Sequence, residues 1–282
     1  MDKQKKKELM LAAANIRKMA IEGIYSAGSG HPGGSLSIAD ILAYLYIEKM
    51  NITKETVKDP NRNRFVLSKG HCAPALYGAL AEVGVIPKED IKTLRHTDSY
   101  LQGHPDMKGI LGIDMSTGSL GQGISAANGM AYAGKLDKKD YRVYTILGDG
   151  ECEEGQVWEA AMFAAHYKLD NLTAFLDFNG LQIDGDITKV MNPCPFDEKF
   201  RAFGWNVIAI DAHNFDEIEK AVTEAENTKE KPTIIIAKSI KGKGVSYMEN
   251  QASWHGNAPS EQQYKIAIDE LEAEIKRIGE GA

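Results

Sequence analysis

Two side chains that carry oxygen ligands follow predicted strands at a spacing typical of one strand–helix–strand unit. Asp149 follows the apolar run 143–147 after one glycine, and Asn179 follows the run 172–178, thirty positions after Asp149. Ligands of open parallel sheets lie at the carboxyl ends of strands, so we expect both side chains at the same edge of neighbouring strands. A carboxylate and an amide oxygen suit magnesium or calcium, with phosphate oxygens and water completing the coordination.

Glycines on both sides of Asp149 indicate what else this edge could bind. Gly148 and Gly150 would let the backbone approach a phosphate closely, and a helix beginning near Glu153 would direct its N-terminal N–H groups towards that anion. Considered alone, Gly-Asp-Gly is more often a plain strand-to-helix turn, because Asp-Gly is common in turns. The second motif, Asn179-Gly180, is what favours a site for magnesium and diphosphate.

The elements that must position these residues alternate in type. Helical patterns separate short apolar runs, which indicates strand–helix–strand units and a parallel sheet covered on both faces. The predicted strands are 65–67, 143–147, 172–176, 205–210 and 233–237. The predicted helices are 7–27, 37–50, one that follows His71, 154–167, 196–203, 215–226 and 261–278. A loop is predicted at 28–34, and the last helix either caps the sheet or meets a partner. We therefore expect a single α/β domain over residues 1–282, with a helical N-terminal lead-in.

Composition excludes several classes of protein. The 282 residues carry a formal charge of −7, so no broad basic face is available to neutralise a nucleic-acid backbone. No apolar run approaches the roughly 18 residues of a membrane helix, and the basic N-terminal residues are not followed by a signal sequence. Three widely spaced cysteines suggest neither disulfides nor a zinc site. We expect a cytoplasmic protein that binds neither nucleic acid nor membranes.

Several motifs together resemble one enzyme family. The segments 148–155 and 179–185 resemble the magnesium–diphosphate signature of thiamine diphosphate enzymes. Further motifs match, in order, the amino-terminal part of transketolase: Ser29-Gly-His-Pro-Gly-Gly34, Leu67-Ser-Lys-Gly-His71, Gly103-His-Pro105, Thr117-Gly-Ser-Leu-Gly-Gln-Gly123, Phe203-Gly-Trp205, Lys241-Gly-Lys-Gly244 and Trp254-His-Gly256. The resemblance covers essentially the whole chain and implies the thiamine diphosphate-binding fold of the diphosphate (PP) domain. The pyrimidine-binding and carboxy-terminal domains of transketolase have no counterpart in it, so the chain is similar to the amino-terminal subunit of a split transketolase.

The resemblance implies roles for individual residues. The histidines that match the family motifs would line the channel over the thiazolium ring, bind sugar hydroxyls and move protons; they are His31, His71, His104 and His255. His71 would also lie close to the diphosphate. Asp149, Asn179 and the Leu181 carbonyl would hold Mg²⁺, for which Ca²⁺ or Mn²⁺ could substitute. The remaining histidines, His96, His166 and His213, match no motif.

Other cofactor-binding residues follow from the resemblance, some of them with a structural alternative. The residues implied are Gly118, Ser119, Leu120, Gly148, Gly150, Glu154, Ile183, Lys241 and His255. Lys241 would meet diphosphate or substrate, or it is a solvated lysine in a flexible loop. Glu154 would reach across a subunit contact, or it is an acidic residue in a first helical turn. Ile183 would support the cofactor's bent conformation, or it is an ordinary buried isoleucine.

The implied reaction is transfer of a two-carbon ketol unit between ketose and aldose phosphates, as in the pentose phosphate pathway. The glutamate that activates thiamine diphosphate belongs to the missing half of the family's chain, so a carboxy-terminal subunit would have to supply it. Two copies of each chain are expected, with self-association through the surface around 118–123 and Glu154, which should be exposed in the free chain. The alternatives are a 1-deoxyxylulose-5-phosphate synthase, the alpha subunit of a 2-oxo acid dehydrogenase, and a non-catalytic cofactor-binding module.

Overall fold

Five parallel strands form the central sheet in the computed structural model, which describes residues 1–281. The strands of the chain are β1 (Arg64–Leu67), β2 (Val143–Gly148), β3 (Leu172–Phe178), β4 (Leu181–Gln182), β5 (Gly185–Asp186), β6 (Asn206–Asp211) and β7 (Thr233–Lys238). The order in the sheet is β1-β2-β3-β7-β6, and every neighbouring pair is parallel. Strands β4 and β5 form a separate antiparallel hairpin.

The α-helices cover both faces of this sheet. In chain order they are α1 (Lys3–Ala27), α2 (Pro32–Ser37), α3 (Ala39–Tyr44), α4 (Ala73–Glu82), α5 (Gln122–Leu136), α6 (Gly155–His166), α7 (Ile187–Val190), α8 (Phe196–Ala202), α9 (Phe215–Asn227) and α10 (Glu261–Gly279). Short 3₁₀ turns occur at Gly70–Cys72, Lys88–Thr93, Gly150–Glu153 and Ala252–Trp254, and a π-helical turn at Leu45–Lys49. Within residues 1–281, none of these helices has the length and apolar character needed to cross a bilayer.

Alternate residues of the strands pack into two different apolar clusters. In β2, Tyr144 and Ile146 belong to the cluster formed with α1, α3, α4 and α9, whereas Val143 and Leu147 belong to the cluster formed with α5, α6 and α8. A strand that is buried on both faces must be apolar at consecutive positions, because successive side chains point to opposite faces. This explains the continuous apolar runs in the sequence.

The last helix, α10, lies against α1 and not directly on the sheet. The rings of Tyr25 and Tyr264 stack with their centroids 4.0 Å apart, and Lys18 on α1 forms a 2.6 Å ion pair with Glu272 on α10. Leu271 packs in a small third cluster that includes Ile21 of α1.

Two helices differ from the sequence-based expectation. The segment predicted as a helix over 37–50 begins earlier, at Pro32, within the predicted loop. It is interrupted at Ile38, which separates α2 from α3, and it ends in the π-helical turn. Proline fits the first helical position because its fixed φ suits the helix and its missing N–H would be unsatisfied there anyway. Helix α5 was not predicted, because its buried face consists largely of alanine and glycine, which give no strong apolar period.

Candidate active site

The two strand ends singled out in the sequence meet at one edge of the sheet. Strands β2 and β3 pair in parallel, with Gly148 opposite Asp177, so Asp149 and Asn179 leave the sheet on adjacent strands. Helix α6 begins a few residues after Asp149, at Gly155, following a single 3₁₀ turn. The predicted juxtaposition is therefore confirmed.

Asp149 is a buried carboxylate whose hydrogen bonds come from backbone groups. Its Oδ1 accepts a hydrogen bond from the Gly150 N–H (2.8 Å), and its Oδ2 accepts one from the Gly180 N–H (2.6 Å). Burial and the nearby Asp177 carboxylate raise the pKa of Asp149 to about 6. A buried carboxylate in this environment is suited to bind a cation, because a cation would offset the cost of desolvating its charge.

The side-chain amide of Asn179 has a defined orientation. Its Nδ2 donates a hydrogen bond to Asp177 Oδ2 (3.1 Å), and its Oδ1 accepts one from the Leu181 N–H (3.1 Å). The Leu181 carbonyl accepts a hydrogen bond from Lys241 Nζ at 3.3 Å. These oxygens and the Asp149 carboxylate are hard donors, which fit Mg²⁺, Ca²⁺ or Mn²⁺. No group of three or more His, Cys, Asp or Glu residues suited to a metal occurs within residues 1–281, so additional ligands would have to come from other groups such as a diphosphate.

Asp177 is a second buried carboxylate, and none of the sequence motifs includes it. Lys69 Nζ and Ser37 Oγ donate hydrogen bonds to its Oδ2 at 2.5 and 2.8 Å, and the Ser239 hydroxyl donates to its Oδ1. Burial alone would raise the pKa of Asp177, but the Lys69 ammonium and these hydrogen bonds hold it below its usual value. An aspartate near the end of the largely apolar strand β3 was the available signal, because a charged group in a buried strand requires partners.

Glu151 is also buried and holds three segments of the site together. Its Oε1 accepts hydrogen bonds from Ser68 Oγ (2.6 Å) and the Gly121 N–H (2.9 Å), and its Oε2 accepts one from the Gly148 N–H (2.9 Å). The carboxylate thus connects the ends of β1 and β2 with the loop before α5. The sequence showed Glu151 only as one of several acidic residues after Asp149.

Four histidines from distant parts of the chain lie close together. The ring centroid of His31 is 5.1 Å from that of His71, 6.4 Å from His104 and 5.5 Å from His255. The rings of His71 and His255 are 5.2 Å apart. All four line a cavity of about 270 Å³ together with Asp149 and Asn179.

The histidines in this cavity are neutral near pH 7. Burial, reinforced by nearby cations, lowers the pKa of His31 to about 4 and that of His255 to about 3, and it also lowers the pKa values of His71 and His104. A neutral imidazole can accept a proton or hydrogen bond at one nitrogen and donate at the other. The buried Nδ1 of His31 has no hydrogen-bond partner in the described structure.

Lys241 is buried, which excludes the alternative of a solvated lysine. Only 2% of its surface is exposed, and its Nζ lies 3.2 Å from His255 Nδ1. Burial and the nearby Lys69 ammonium lower its pKa. Gly33 provides the space for this side chain, because a Cβ there would lie 3.0 Å from Lys241 Cγ and 2.8 Å from the Trp254 carbonyl oxygen.

The cavity contains all but two of the residues implied by the resemblance. Its lining includes the following candidates: His31, His71, His104, Gly118, Leu120, Gly148, Asp149, Gly150, Asn179, Leu181, Ile183, Lys241 and His255. Ser119 and Glu154 are exposed and do not line it. Ile183 is 66% exposed at the cavity, so the alternative of an ordinary buried isoleucine is wrong.

Comparison with protein families gives this arrangement an identity. Residues 9–274 match the family model described as "Transketolase, thiamine diphosphate binding domain". The chain belongs to the transketolase family. The expected thiamine diphosphate-binding function of this segment is thereby confirmed.

Two curated relatives have almost the same length as this chain. A 6-deoxy-6-sulfo-D-fructose transketolase subunit from Clostridium sp. (strain MSTE9) is 50% identical, and the alignment covers 95% of this chain and 97% of the relative. An apulose-4-phosphate transketolase subunit from Phocaeicola vulgatus is 42% identical, with 96% of each chain covered. Both relatives are named as transketolase subunits, which supports the expectation of an amino-terminal subunit; the other thiamine diphosphate enzyme classes are not favoured.

A solved transketolase structure confirms the fold. The transketolase of Campylobacter jejuni superimposes with a TM-score of 0.87 at 32% sequence identity. The match covers 99% of the present chain but only 46% of the Campylobacter chain. The chain therefore spans about half the length of this transketolase.

Proposed function

We propose that this chain is the diphosphate-binding half of a two-part transketolase that transfers a two-carbon ketol unit from a ketose phosphate to an aldose phosphate. The observation that carries the proposal is the single cavity in which four neutral histidines lie beside the Asp149–Asn179 strand ends. One end of the cavity is suited to a metal-bound diphosphate, and the other end offers donors and acceptors to sugar hydroxyls.

The residues at the strand ends would hold the cofactor. Asp149 and Asn179 would bind Mg²⁺ together with the carbonyl of Leu181, and Ca²⁺ or Mn²⁺ could take its place. The Leu181 carbonyl now accepts the Lys241 hydrogen bond, so that bond would have to be shared with the metal or transferred to the diphosphate. Gly148 and Gly150 would allow the diphosphate to approach the backbone.

Other cavity residues would contact the remaining parts of the cofactor. Gly118 and Leu120 would pack on thiamine diphosphate, and Ile183 would support its bent conformation. When bound, thiamine diphosphate supplies the electron sink for cleavage of the carbon–carbon bond. The exposed residues Ser119 and Glu154 would act at the contact with a second chain.

The four histidines would orient the sugar and move protons. Because their pKa values lie below the ordinary range, His31 and His255 are neutral at physiological pH, and each can accept a hydrogen bond from a substrate hydroxyl. His104 and His71 would bind further hydroxyl groups, and His71 would also contact the diphosphate.

Assembly would complete the active site. A carboxy-terminal subunit would supply the pyrimidine-binding half and the activating glutamate, and two copies of each chain would form a heterotetramer with two sites. The contact surface would include Ser119, Gln122 and Glu154, which are exposed. Gly121 and Gly123 lie beneath this surface and are buried in the chain itself, so the exposed part is smaller than the whole segment 118–123. We place this enzyme in the cytoplasm, in reactions of the pentose phosphate pathway type.

Reconstitution from separate subunits tests the proposal. The two components, which are this chain and the carboxy-terminal half of a transketolase, are purified separately and assayed for ketol transfer with thiamine diphosphate and Mg²⁺. We expect activity only after mixing, and light scattering should show a two-plus-two complex that the cofactor tightens, because a ligand shared between chains stabilises their assembly. Turnover by the rigorously purified single chain would contradict the two-part enzyme, and cofactor binding without activity in the mixture would favour a non-catalytic module.

A further inference from the structure

Arg95 connects the two loops that carry His31 and His104. Its Nη1 donates a hydrogen bond to Ser29 Oγ at 3.0 Å, and its Nη2 donates a long one to the Gly103 carbonyl oxygen at 3.5 Å. Ser29 precedes His31 by two residues, and Gly103 directly precedes His104. The guanidinium therefore lies between the two loops that carry these cavity-lining histidines.

The backbone around Arg95 is arranged to accommodate its side chain. Arg95 has φ +61°, a left-handed conformation that is unfavourable for a residue other than glycine, and its N–H donates to the Leu101 carbonyl oxygen at 2.8 Å. A Cβ at position 103 would lie 2.7 Å from Cζ of Arg95, so a side chain there would displace the guanidinium.

The positive charge of Arg95 has no carboxylate partner. No Asp or Glu of residues 1–281 forms an ion pair with it, and its two hydrogen-bond acceptors are neutral oxygens. The residue is exposed, and the guanidinium has five N–H donors, of which only two are accounted for by these bonds. An arginine in this state can bind an anion in a bidentate manner without first breaking an ion pair.

The charge also acts on the cavity. Burial lowers the pKa values of His31 and His104 the most. Among the nearby charges, the Arg95 guanidinium lowers them the most. Because Arg95 is also hydrogen-bonded to the loops of both histidines, a ligand that extends from these histidines towards Arg95 would bring an anionic group to the guanidinium.

We propose that Arg95 binds the anionic group at the far end of the sugar substrate, either a phosphate or a sulfonate. This inference rests on the proposed function, because it places the sugar along the histidines. Both anions present oxygens that match the planar guanidinium. The two subunit relatives are named for sugars of these kinds, one a sulfo-fructose and the other a sugar phosphate. The chain would then select for charged substrates with a residue of its own, in addition to anything its partner supplies.

Paired substrates with and without the anion test this proposal in the reconstituted enzyme. The acceptors are D-glyceraldehyde 3-phosphate and D-glyceraldehyde, and the donors are fructose 6-phosphate, 6-deoxy-6-sulfofructose and fructose. We expect Arg95→Ala to lower kcat/KM for charged substrates about 10- to 100-fold, mainly through KM, because a hydrogen bond to a charged group is lost. For uncharged substrates the change should stay within about threefold, since the lost contact is absent from them.

Two further variants separate recognition from structure. Lys92→Ala removes an exposed cation three residues earlier on the same segment and should leave both substrate classes unchanged. Arg95→Lys keeps the charge but loses the bidentate geometry, and we expect an intermediate loss confined to charged substrates.

Each outcome is informative. A loss of kcat/KM that is confined to the phosphorylated substrates, the sulfonated substrate or both supports the proposal and identifies the anion. An equal loss with charged and uncharged substrates would overturn it, because Arg95 would then only hold the two histidine loops together. Unchanged kinetics would overturn it as well. Absence of ketol transfer in the wild-type mixture would instead contradict the proposed function.

Discussion

Arg17 and Asp40 form a buried ion pair next to the site, and its removal should be costly. Two guanidinium nitrogens of Arg17 donate hydrogen bonds to the two carboxylate oxygens of Asp40, and Arg17 Nε donates to the Leu36 carbonyl oxygen at 3.1 Å. His213 Nδ1 donates to Asp40 Oδ2 at 2.7 Å, while its Nε2 accepts from the Ile240 N–H at 3.0 Å. The network thus supports the segment that leads directly into Lys241. Arg17→Met keeps much of the apolar volume but leaves the carboxylate without its cation.

The magnitude follows from the pKa of Asp40. Burial would raise this pKa, but Arg17 and His213 outweigh burial and lower it from 3.8 to about 2. A depression of about two units corresponds to about 2 to 3 kcal/mol of folding stability. Removing one partner of a buried pair costs about 3 to 5 kcal/mol because the other charge remains desolvated. We therefore expect Arg17→Met to lower the free energy of unfolding by about 3 kcal/mol near neutral pH.

Urea unfolding of the wild type, Arg17→Met and Arg17→Met/Asp40→Asn measures this cost. The double variant should regain a large part of the loss, because its neutral amide carries no desolvated charge and can still accept the His213 hydrogen bond.

The sign of the pH dependence is also fixed. Stability from a carboxyl with a depressed folded-state pKa is present above its ordinary value of 3.8 and is lost as the pH falls towards 2. The difference between wild type and Arg17→Met should therefore shrink as the solution is acidified.

Two results would refute this reasoning. A cost below about 1 kcal/mol near neutral pH would mean that water or structural relaxation solvates Asp40 in the variant. A cost that Asp40→Asn does not relieve would mean that Arg17 acts through packing of its side-chain stem and not through its charge.

The remaining predictions concern the active site. Asp149→Asn should abolish magnesium-dependent binding of thiamine diphosphate in the reconstituted enzyme, because only neutral protein ligands would remain for the cation; unchanged affinity by calorimetry would show that Asp149 only shapes the turn. His104→Ala and His255→Ala should lower ketol transfer by about 10²- to 10⁴-fold while cofactor affinity stays within a few-fold, because these side chains would act on the substrate. Parallel loss of cofactor binding, measured by the same calorimetry, would contradict the substrate role. The test is more demanding for His255 than for His104, because His255 also contacts Lys241, a proposed cofactor-binding residue.

Local sequence patterns predicted the features that depend on neighbouring residues. The apolar runs that became β2 and β3 are continuous because each strand is buried on both faces, and the polar residues Asp149 and Asn179 come where the strands end. Their meeting at one edge follows from parallel strands, which bring equivalent ends together. The four histidines were found through short motifs that contain glycine or proline, and the cavity that they line was implied by family resemblance.

Only the tertiary structure decided which distant groups share the buried space. The position of β7 between β3 and β6 brings Ser239 to Asp177, and it carries Lys241 into the cavity, although a lysine between glycines is equally compatible with a solvated loop. Lys69 pairs with Asp177 across 108 positions of sequence. A local pattern records how apolar each residue is, but the partner that compensates a buried charge is chosen by strand order and loop packing, which depend on the whole chain.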